Sequence, residues 1–167
     1  MNLAQINAWA DDEAFSSFRR CCGSARWSEQ MARLRPFGSE VALFDAAERV
    51  WWGLAPADWL EAFAAHPKIG DRDAMRAKFA ATADWSAREQ AGIEGASEDV
   101  LRELAEANVR YEERFGYLFI VCATGKTARE MLALLNDRLP NDPDLEIKVA
   151  AAEQAKIAQI RLEKLAP

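Results

Sequence analysis

Residues 97–116 of this chain read SEDVLRELAEANVRYEERFG. Within that stretch, apolar, aromatic and amide side chains recur at steps of three and four residues, at Leu101, Leu104, Asn108, Tyr111 and Phe115. This period places them on one face of an amphipathic α-helix. A glycine follows at position 116, and glycine commonly ends helices because it readily adopts a left-handed conformation. The stretch therefore predicts a helix over residues 97–115 with one buried face.

Helical patterns extend outward from this stretch in both directions. Residues 56–63 read PADWLEAF, which predicts a helix with proline in its first turn. That helix must end near His66, because the residue before Pro67 disfavours helical dihedral angles. Residues 127–139 repeat the helical period, with Thr127 and Glu130 forming a capping-box pattern, and residues 144–165 predict a long final helix. No internal repeat or flexible linker interrupts these patterns, so we expect one all-α domain over residues 1–167, a single helical bundle.

One segment departs from the helical pattern. Residues 117–123 read YLFIVCA, an unbroken apolar run with β-branched and aromatic members, and glycines flank it at positions 116 and 125. We expect a buried extended segment near residues 117–124. Its backbone polar groups would need partners, which a small polar ligand could supply. Hydrogen bonding within the protein is an equally good interpretation of the same pattern.

The composition excludes several classes of protein. Half of the residues are apolar, including six Trp and eight Phe, as expected of a packed globule. The formal net charge of −6 repels phosphate backbones, so we expect no nucleic-acid partner. No apolar run has the length of a membrane span, and acidic residues from Asp11 onward interrupt any signal-peptide core. We therefore expect a cytoplasmic protein that binds no membrane.

The cysteine and histidine content argues against disulfides and catalytic metals. Cys21 and Cys22 are adjacent and Cys122 lies within an apolar run, so we expect three reduced thiols, with Cys122 a small buried hydrophobe. Zinc and iron sites usually draw on several histidine or cysteine ligands, whereas this chain has one histidine, which predicts no metal site. The TGKT stretch at 124–127 is not a phosphate loop, because Ile120 occupies the position of the required second glycine.

His66 is the leading candidate for acid–base chemistry. It lies in the stretch AHPKIGD at the predicted end of a helix, whose partial negative charge would lie close to the ring. A histidine at such a position can simply cap the last carbonyl groups of the helix. Pro67 and Gly70 would fix an unusual local backbone that could direct the imidazole outward.

The 86–90 stretch and Arg161 each have both a structural and a functional interpretation. Ser86 and Glu89 fit a capping box, but a helix N-terminus is also an anion site, and Gln90 adds an amide beside Glu89. Arg161 lies between Ile157 and Leu165 on a helical wheel. It could pair with a buried carboxylate or extend to water, or its guanidinium could hold a planar substrate group.

Taken together, several blocks of the chain resemble the OHCU decarboxylases, which act on 2-oxo-4-hydroxy-4-carboxy-5-ureidoimidazoline. The resemblance runs from about Gly23 to Leu165. Its most specific blocks are HPKIG at 66–70 and FIVCATGK at 119–126, and further matches include Gly23-Ser24, Arg26-Trp27, Ser86, Glu89-Gln90, Asn108, Tyr111, Arg138-Leu139, Asn141, Glu146, Glu153 and Arg161-Leu162. Departures are small: Tyr117-Leu118 stands where members often have Phe and Pro, and Thr127 where Ser is common.

The resemblance implies an all-α homodimer that converts OHCU into (S)-allantoin and carbon dioxide without a cofactor. It also implies His66 and Glu89 as the catalytic pair. The residues implied in substrate binding are Pro67, Ser86, Gln90, Phe119, Ile120, Val121, Cys122, Ala123 and Arg161. Members occur in the cytoplasm or in peroxisomes, and the C-terminal residues Leu165-Ala166-Pro167 carry no peroxisomal address, which favours the cytoplasm.

Two other classes of function are compatible with the residues alone. In a non-catalytic helical scaffold or ligand-binding module, His66 and the Ser86–Glu89 pair would be helix caps and Arg161 would be structural. A hydrolase or lyase acting on a different ureido compound could use the same His–Glu pair. Activity towards OHCU distinguishes these alternatives.

Overall fold

A computed structural model describes residues 1–67 and 97–165. Within those two ranges it contains eight α-helices and no β-strand, which confirms the all-α prediction. The helices are α1 (Leu3–Ala8), α2 (Asp11–Cys22), α3 (Ala25–Arg33), α4 (Glu40–Trp52), α5 (Pro56–Ala64), α6 (Glu98–Phe115), α7 (Ala128–Arg138) and α8 (Pro143–Glu163). None of these helices is long and apolar enough to cross a membrane.

Packing divides the chain into two compact units. The first unit comprises Met1–Ala65 and Ala151–Pro167, and the second comprises His66–Ala150. Helix α8 therefore contributes its first residues to the second unit and the remainder to the first. A single domain over the whole chain stays a prediction.

The first unit is built around buried aromatic side chains. Ser24 caps α3, its hydroxyl accepting a hydrogen bond from the amide of Trp27. The Trp27 indole donates to the Ala47 carbonyl in α4, and the Trp51 indole donates to the Ala151 carbonyl in α8. Each buried indole N–H thus has a partner, so the rings add apolar contact without leaving a donor unsatisfied.

The second unit confirms the helix that residues 97–115 predict. Ser97 caps α6, and Gly116 ends it in the left-handed region with a φ of 79°. Leu104 and Tyr111 are fully buried on its inner face, and they pack with Met131 and Leu135 of α7. The predicted capping box of α7 is also present, because the Thr127 hydroxyl and the Glu130 carboxylate each accept the other's backbone amide.

The extended segment lies where the sequence predicts it, between α6 and α7. Residues 118–123 have no regular secondary structure, and the four residues Phe119, Ile120, Val121 and Cys122 are at most 7 % exposed. Their apolar side chains belong in the core, which explains why no polar residue interrupts the run. The segment is therefore buried chain whose backbone is not hydrogen-bonded in a helix or sheet.

Candidate active site

His66 lies directly after the C-cap of helix α5. Pro56 occupies the first turn, and the Asp58 carboxylate accepts a hydrogen bond from the Ala55 amide at 3.1 Å, which fixes where the helix begins. The helix ends at Ala64, and Ala65 is its C-cap. His66 and Pro67 follow directly and are both half-buried. The predicted end of this helix near His66 is confirmed.

Glu61 ties the last turns of α5 to the start of α3. Its carboxylate accepts a hydrogen bond from Arg19 Nη2 at 2.7 Å and another from the Ala25 amide at 3.0 Å. The Arg19 hydrogen bond, followed by the bond from Ala25, holds the pKa of Glu61 below its usual range in spite of partial burial. One carboxylate thus bridges α2, α3 and α5.

Gly23 brings the corner between α2 and α3 against the end of α5. Its φ is +86°, and a Cβ added there would lie 2.6 Å from the Ala65 Cβ and 3.3 Å from the Ala62 carbonyl oxygen. A side chain at this position would therefore both strain the backbone and displace the residue that precedes His66. The absence of a side chain at Gly23 therefore allows Ala65, the residue before His66, to lie where it does.

We expect Glu61→Gln to remove a stabilising charge whose effect depends on pH. Because the folded-state pKa of Glu61 is depressed, its contribution is present above the usual carboxyl value and is lost as the pH falls through the folded pKa. The Glu61 side chain is 40 % exposed, so we expect about 0.2–1 kcal/mol at pH 7. Urea unfolding of both proteins at pH 7 and pH 3 measures this, and a difference of equal size at both values would contradict it.

The extended segment contains backbone carbonyl groups, which accept hydrogen bonds, and backbone amides, which can donate them. The Ile120 carbonyl accepts from Arg138 Nη1 and the Cys122 carbonyl accepts from Lys126 Nζ, at 2.8 and 2.7 Å. Among the described residues, the amides of Phe119, Ile120 and Val121 donate no hydrogen bond. A backbone amide without a partner can donate to an acceptor such as a carbonyl or carboxylate oxygen. The Lys126 ammonium group therefore contacts protein backbone.

A buried polar network lies next to this segment, and no role was predicted for its members. Glu146 accepts hydrogen bonds from Tyr111, from Arg138 Nε at 2.8 Å and from Asn141 Nδ2 at 2.7 Å. Burial and the Glu146 contact raise the pKa of Tyr111 above its usual range, so its hydroxyl remains a donor. A sequence signal existed: Arg138 follows Met131 and Leu135 at helical steps, which places it on the buried face of α7.

Arg161 is buried in the first unit, in agreement with its place on an apolar stripe. It is 8 % exposed, and its neighbours Ile157 and Leu165 are 7 % and 8 % exposed. Its charge acts on Cys21 and Cys22: burial raises the pKa of each thiol to about 12, and Arg161 opposes that rise. All three cysteines are buried and none forms a disulfide, which confirms that Cys122 is a small buried hydrophobe.

Three of the predicted site residues, Ser86, Glu89 and Gln90, lie outside the described residues. Their proposed roles stay predictions. The structure places His66 and the extended segment in the second unit and Arg161 in the first. Across residues 1–67 and 97–165, no group of three or more histidine, cysteine or acidic side chains is arranged to hold a metal ion.

Comparison with known proteins identifies the family. The family model for OHCU decarboxylase matches residues 7–163. The chain is 39 % identical over 146 residues to the uric acid degradation bifunctional protein TTL of Arabidopsis thaliana, covering 87 % of this chain and 45 % of that protein. It is 29 % identical to the 2-oxo-4-hydroxy-4-carboxy-5-ureidoimidazoline decarboxylase of Amia calva, with 99 % of this chain and 94 % of that protein covered.

Solved structures agree with the sequence comparison. A crystal structure of an OHCU decarboxylase in the presence of (S)-allantoin matches with a TM-score of 0.77 and 37 % identity, covering 94 % of this chain and 98 % of the other. A crystal structure of (S)-allantoin synthase matches with a TM-score of 0.74 at 19 % identity, which supports the fold alone. The chain belongs to the OHCU decarboxylase family of carboxy-lyases, as its HPKIG and FIVCATGK blocks indicate.

Proposed function

We propose that this chain decarboxylates OHCU to (S)-allantoin and carbon dioxide, a step of urate degradation, without a cofactor. The observation that carries the proposal is the family match over residues 7–163, which includes every residue proposed for the site. The chain spans about half of the Arabidopsis bifunctional protein but nearly all of the Amia calva decarboxylase. Decarboxylation is therefore the function that we assign to this chain.

The substrate itself supplies the electron sink for this reaction. When the bond to the carboxylate breaks and carbon dioxide leaves, an electron pair remains on the former carboxyl-bearing carbon. The adjacent ring imine can accept that pair, so no other acceptor is needed. The protein has to orient the carboxylate, manage the proton of the neighbouring hydroxyl and deliver one proton to one face of the ring.

His66 is the proposed acid–base residue. Histidine is the side chain whose ordinary pKa lies near neutrality, so it can accept and return a proton under physiological conditions. Its half-buried position directly after the end of α5 supports a role at the edge of a site where substrate can reach it. Glu89 would orient the imidazole and stabilise its protonated form.

Backbone amides of the extended segment are the proposed binding groups for the polar edge of the substrate. OHCU carries carbonyl, ureido and carboxylate oxygens, all of which are acceptors that suit the amides of Phe119, Ile120 and Val121. Buried amides gain more from an acceptor than exposed ones, because leaving them unsatisfied costs free energy. Pro67, Ser86, Gln90 and Arg161, together with Cys122 and Ala123, complete the proposed binding set.

An assay on freshly generated OHCU tests the proposal. Purified protein should accelerate the loss of OHCU absorbance and produce a growing circular dichroism signal, because one enantiomer of allantoin accumulates. Spontaneous decay gives a racemic product and no such signal. No acceleration would favour a scaffold or binding module, and acceleration only with another ureido compound would favour the alternative enzyme.

Exhaustive chelation should leave the activity unchanged. The proposed chemistry places every proton transfer on His66 and the electron sink in the substrate, so no step needs a metal ion. The measurement compares turnover before and after prolonged incubation with a chelator and gel filtration. Loss of activity that a specific divalent ion restores would overturn the cofactor-free mechanism.

Arg161→Lys should weaken substrate binding although it keeps the charge. An ammonium group cannot reproduce the planar guanidinium fork, and loss of one charged hydrogen bond, ~1.5 kcal/mol, corresponds to about a tenfold rise in KM. Steady-state kinetics measures this, with thermal unfolding as the control for stability. Unchanged KM and kcat would mean that Arg161 is structural, which its burial beside Cys21 and Cys22 also allows.

A homodimer and a cytoplasmic location are part of the same proposal. The dimer rests on the family resemblance, which is compatible with the cytoplasm or with peroxisomes, and of these we propose the cytoplasm. Sedimentation of the purified protein at micromolar concentration tests the dimer.

A further inference from the structure

Glu146 is a fully buried carboxylate at the start of α8. Arg138 at the end of α7 pairs with it: Arg138 Nε and Nη2 both donate to Glu146 Oε1, at 2.8 and 2.5 Å. Tyr111 donates to the same oxygen, and Asn141 donates to the other oxygen at 2.7 Å. Four donors from three side chains therefore satisfy a charge that water does not reach.

Stability alone does not account for a pair of this kind. Removing two charges from water costs about as much as their attraction returns, and apolar residues of similar size often replace buried pairs without loss. Such a pair can instead specify one local arrangement. The remaining contacts of Arg138 show what the pair orients.

Arg138 has one nitrogen that does not contact Glu146. Its Nη1 donates to the Ile120 carbonyl at 2.8 Å, in the middle of the extended segment. The guanidinium carbon also lies 4.6 Å from the centroid of the Phe119 ring. A single side chain therefore holds the segment by a backbone hydrogen bond and by a ring contact, at two successive residues.

We propose that Arg138 is a positioning residue for OHCU binding, and that Glu146, Tyr111 and Asn141 hold its guanidinium in the orientation that this requires. The inference rests on the proposed function, in which the amides of the extended segment bind the substrate. A segment outside any helix or sheet has no ladder of hydrogen bonds to fix its peptide planes. Fixing the Ile120 carbonyl fixes the peptide plane that also carries the Val121 amide.

If Arg138 is a positioning residue, substrate affinity depends more on its hydrogen bond to Ile120 than on the charges of Arg138 and Glu146. The double variant Arg138→Met/Glu146→Leu removes both charges and leaves none uncompensated, but it also removes the hydrogen bond to Ile120. Glu146→Gln is the matched control, because it keeps Arg138 and its bond to Ile120 while neutralising the carboxylate. We expect the double variant to raise KM for OHCU about tenfold with a smaller change in kcat. Glu146→Gln should raise KM by a clearly smaller factor, because the Gln carbonyl oxygen can still accept from Arg138 and keep its bond to Ile120.

Thermal unfolding of the same samples separates positioning from general stability. Glu146→Gln leaves a buried guanidinium without its counter-charge, so it should lower the melting temperature at least as much as the double variant. A merely structural role would make KM follow the loss of stability. If Arg138 positions the segment, the ranking by melting temperature and the ranking by KM differ. The double variant then has the larger rise in KM although its melting temperature falls no further than that of Glu146→Gln.

Arg138→Lys provides a second variant in case the double variant does not fold. It keeps an ion pair with Glu146 but cannot reach both Glu146 and Ile120, so the same rise in KM is expected. An active wild type whose Arg138 variants keep the wild-type KM would overturn this inference alone. A wild type that does not decarboxylate OHCU would overturn the proposed function, and this inference with it.

Discussion

His66→Asn is expected to lower the turnover of OHCU by about two to four orders of magnitude, the usual scale of general acid–base catalysis. Asparagine has a similar size and can hydrogen-bond, but it does not take up or release a proton near neutrality. His66 is half-buried and follows the C-cap of α5, so the substitution should leave the helix and the fold intact. The effect should therefore appear in kcat.

Recording absorbance and circular dichroism together separates the rate of OHCU decay from the choice of the ring face that receives the proton. The variant should let OHCU decay at close to the spontaneous rate, and the product should approach a racemate because no positioned donor selects one face. Glu89→Gln is the comparison variant, and it should lose less if Glu89 orients the imidazole. If His66→Asn still makes optically pure product at close to the wild-type rate, His66 is a helix cap and not the proton donor.

Gly23→Ala is expected to lower kcat by about a hundredfold, the scale that a shift of roughly 1 Å in a catalytic group can produce. The new methyl group would lie 2.6 Å from the Ala65 Cβ, and Ala65 is the residue before His66. The end of α5 or the corner between α2 and α3 must therefore move. A non-glycine residue in the left-handed region also costs about 1–2 kcal/mol of stability.

Gly116→Ala is the matched control for this substitution. Gly116 also ends a helix, with a φ of +79°, but a Cβ there would meet no atom within 4 Å. Both variants should therefore lose stability through backbone strain, and only Gly23→Ala should lose activity beyond that loss. Kinetics at a temperature where both proteins are fully folded makes the comparison. Equal kcat values for the two variants would show that the contact with Ala65 does not position His66.

Helices α5 to α8 could be predicted from the sequence because their signals are local. The three- and four-residue period of α6, the proline at the start of α5 and the capping box of α7 each depend on residues within a few positions of one another. The same is true of the extended segment, whose apolar run differs from every amphipathic stretch around it. Motif blocks of five to eight consecutive residues were also sufficient to indicate the family.

The candidate site was only partly predictable, because its contacts join residues that are distant in the sequence. Burial of Arg138 follows from its place on α7, but its partners do not, because Ile120 and Glu146 lie 18 and 8 residues away. Nothing in the sequence pairs Tyr111 with Glu146, which are 35 residues apart. Helical periodicity shows which face of a helix is buried, and it does not show what that face meets.

The sequence by itself determined the all-α class, the positions of α5 to α8, the buried extended segment and the family, because each depends on local spacing or on contiguous motifs. Tertiary structure alone decided that Glu61 joins Arg19 to the Ala25 amide, that Gly23 abuts Ala65, and that Arg138 holds the Ile120 carbonyl. These contacts join residues far apart in the chain, and they form only where the packed core brings two backbones within a few ångströms. Hydrogen bonds and close contacts act over that short range, so packing rather than spacing selects the partners.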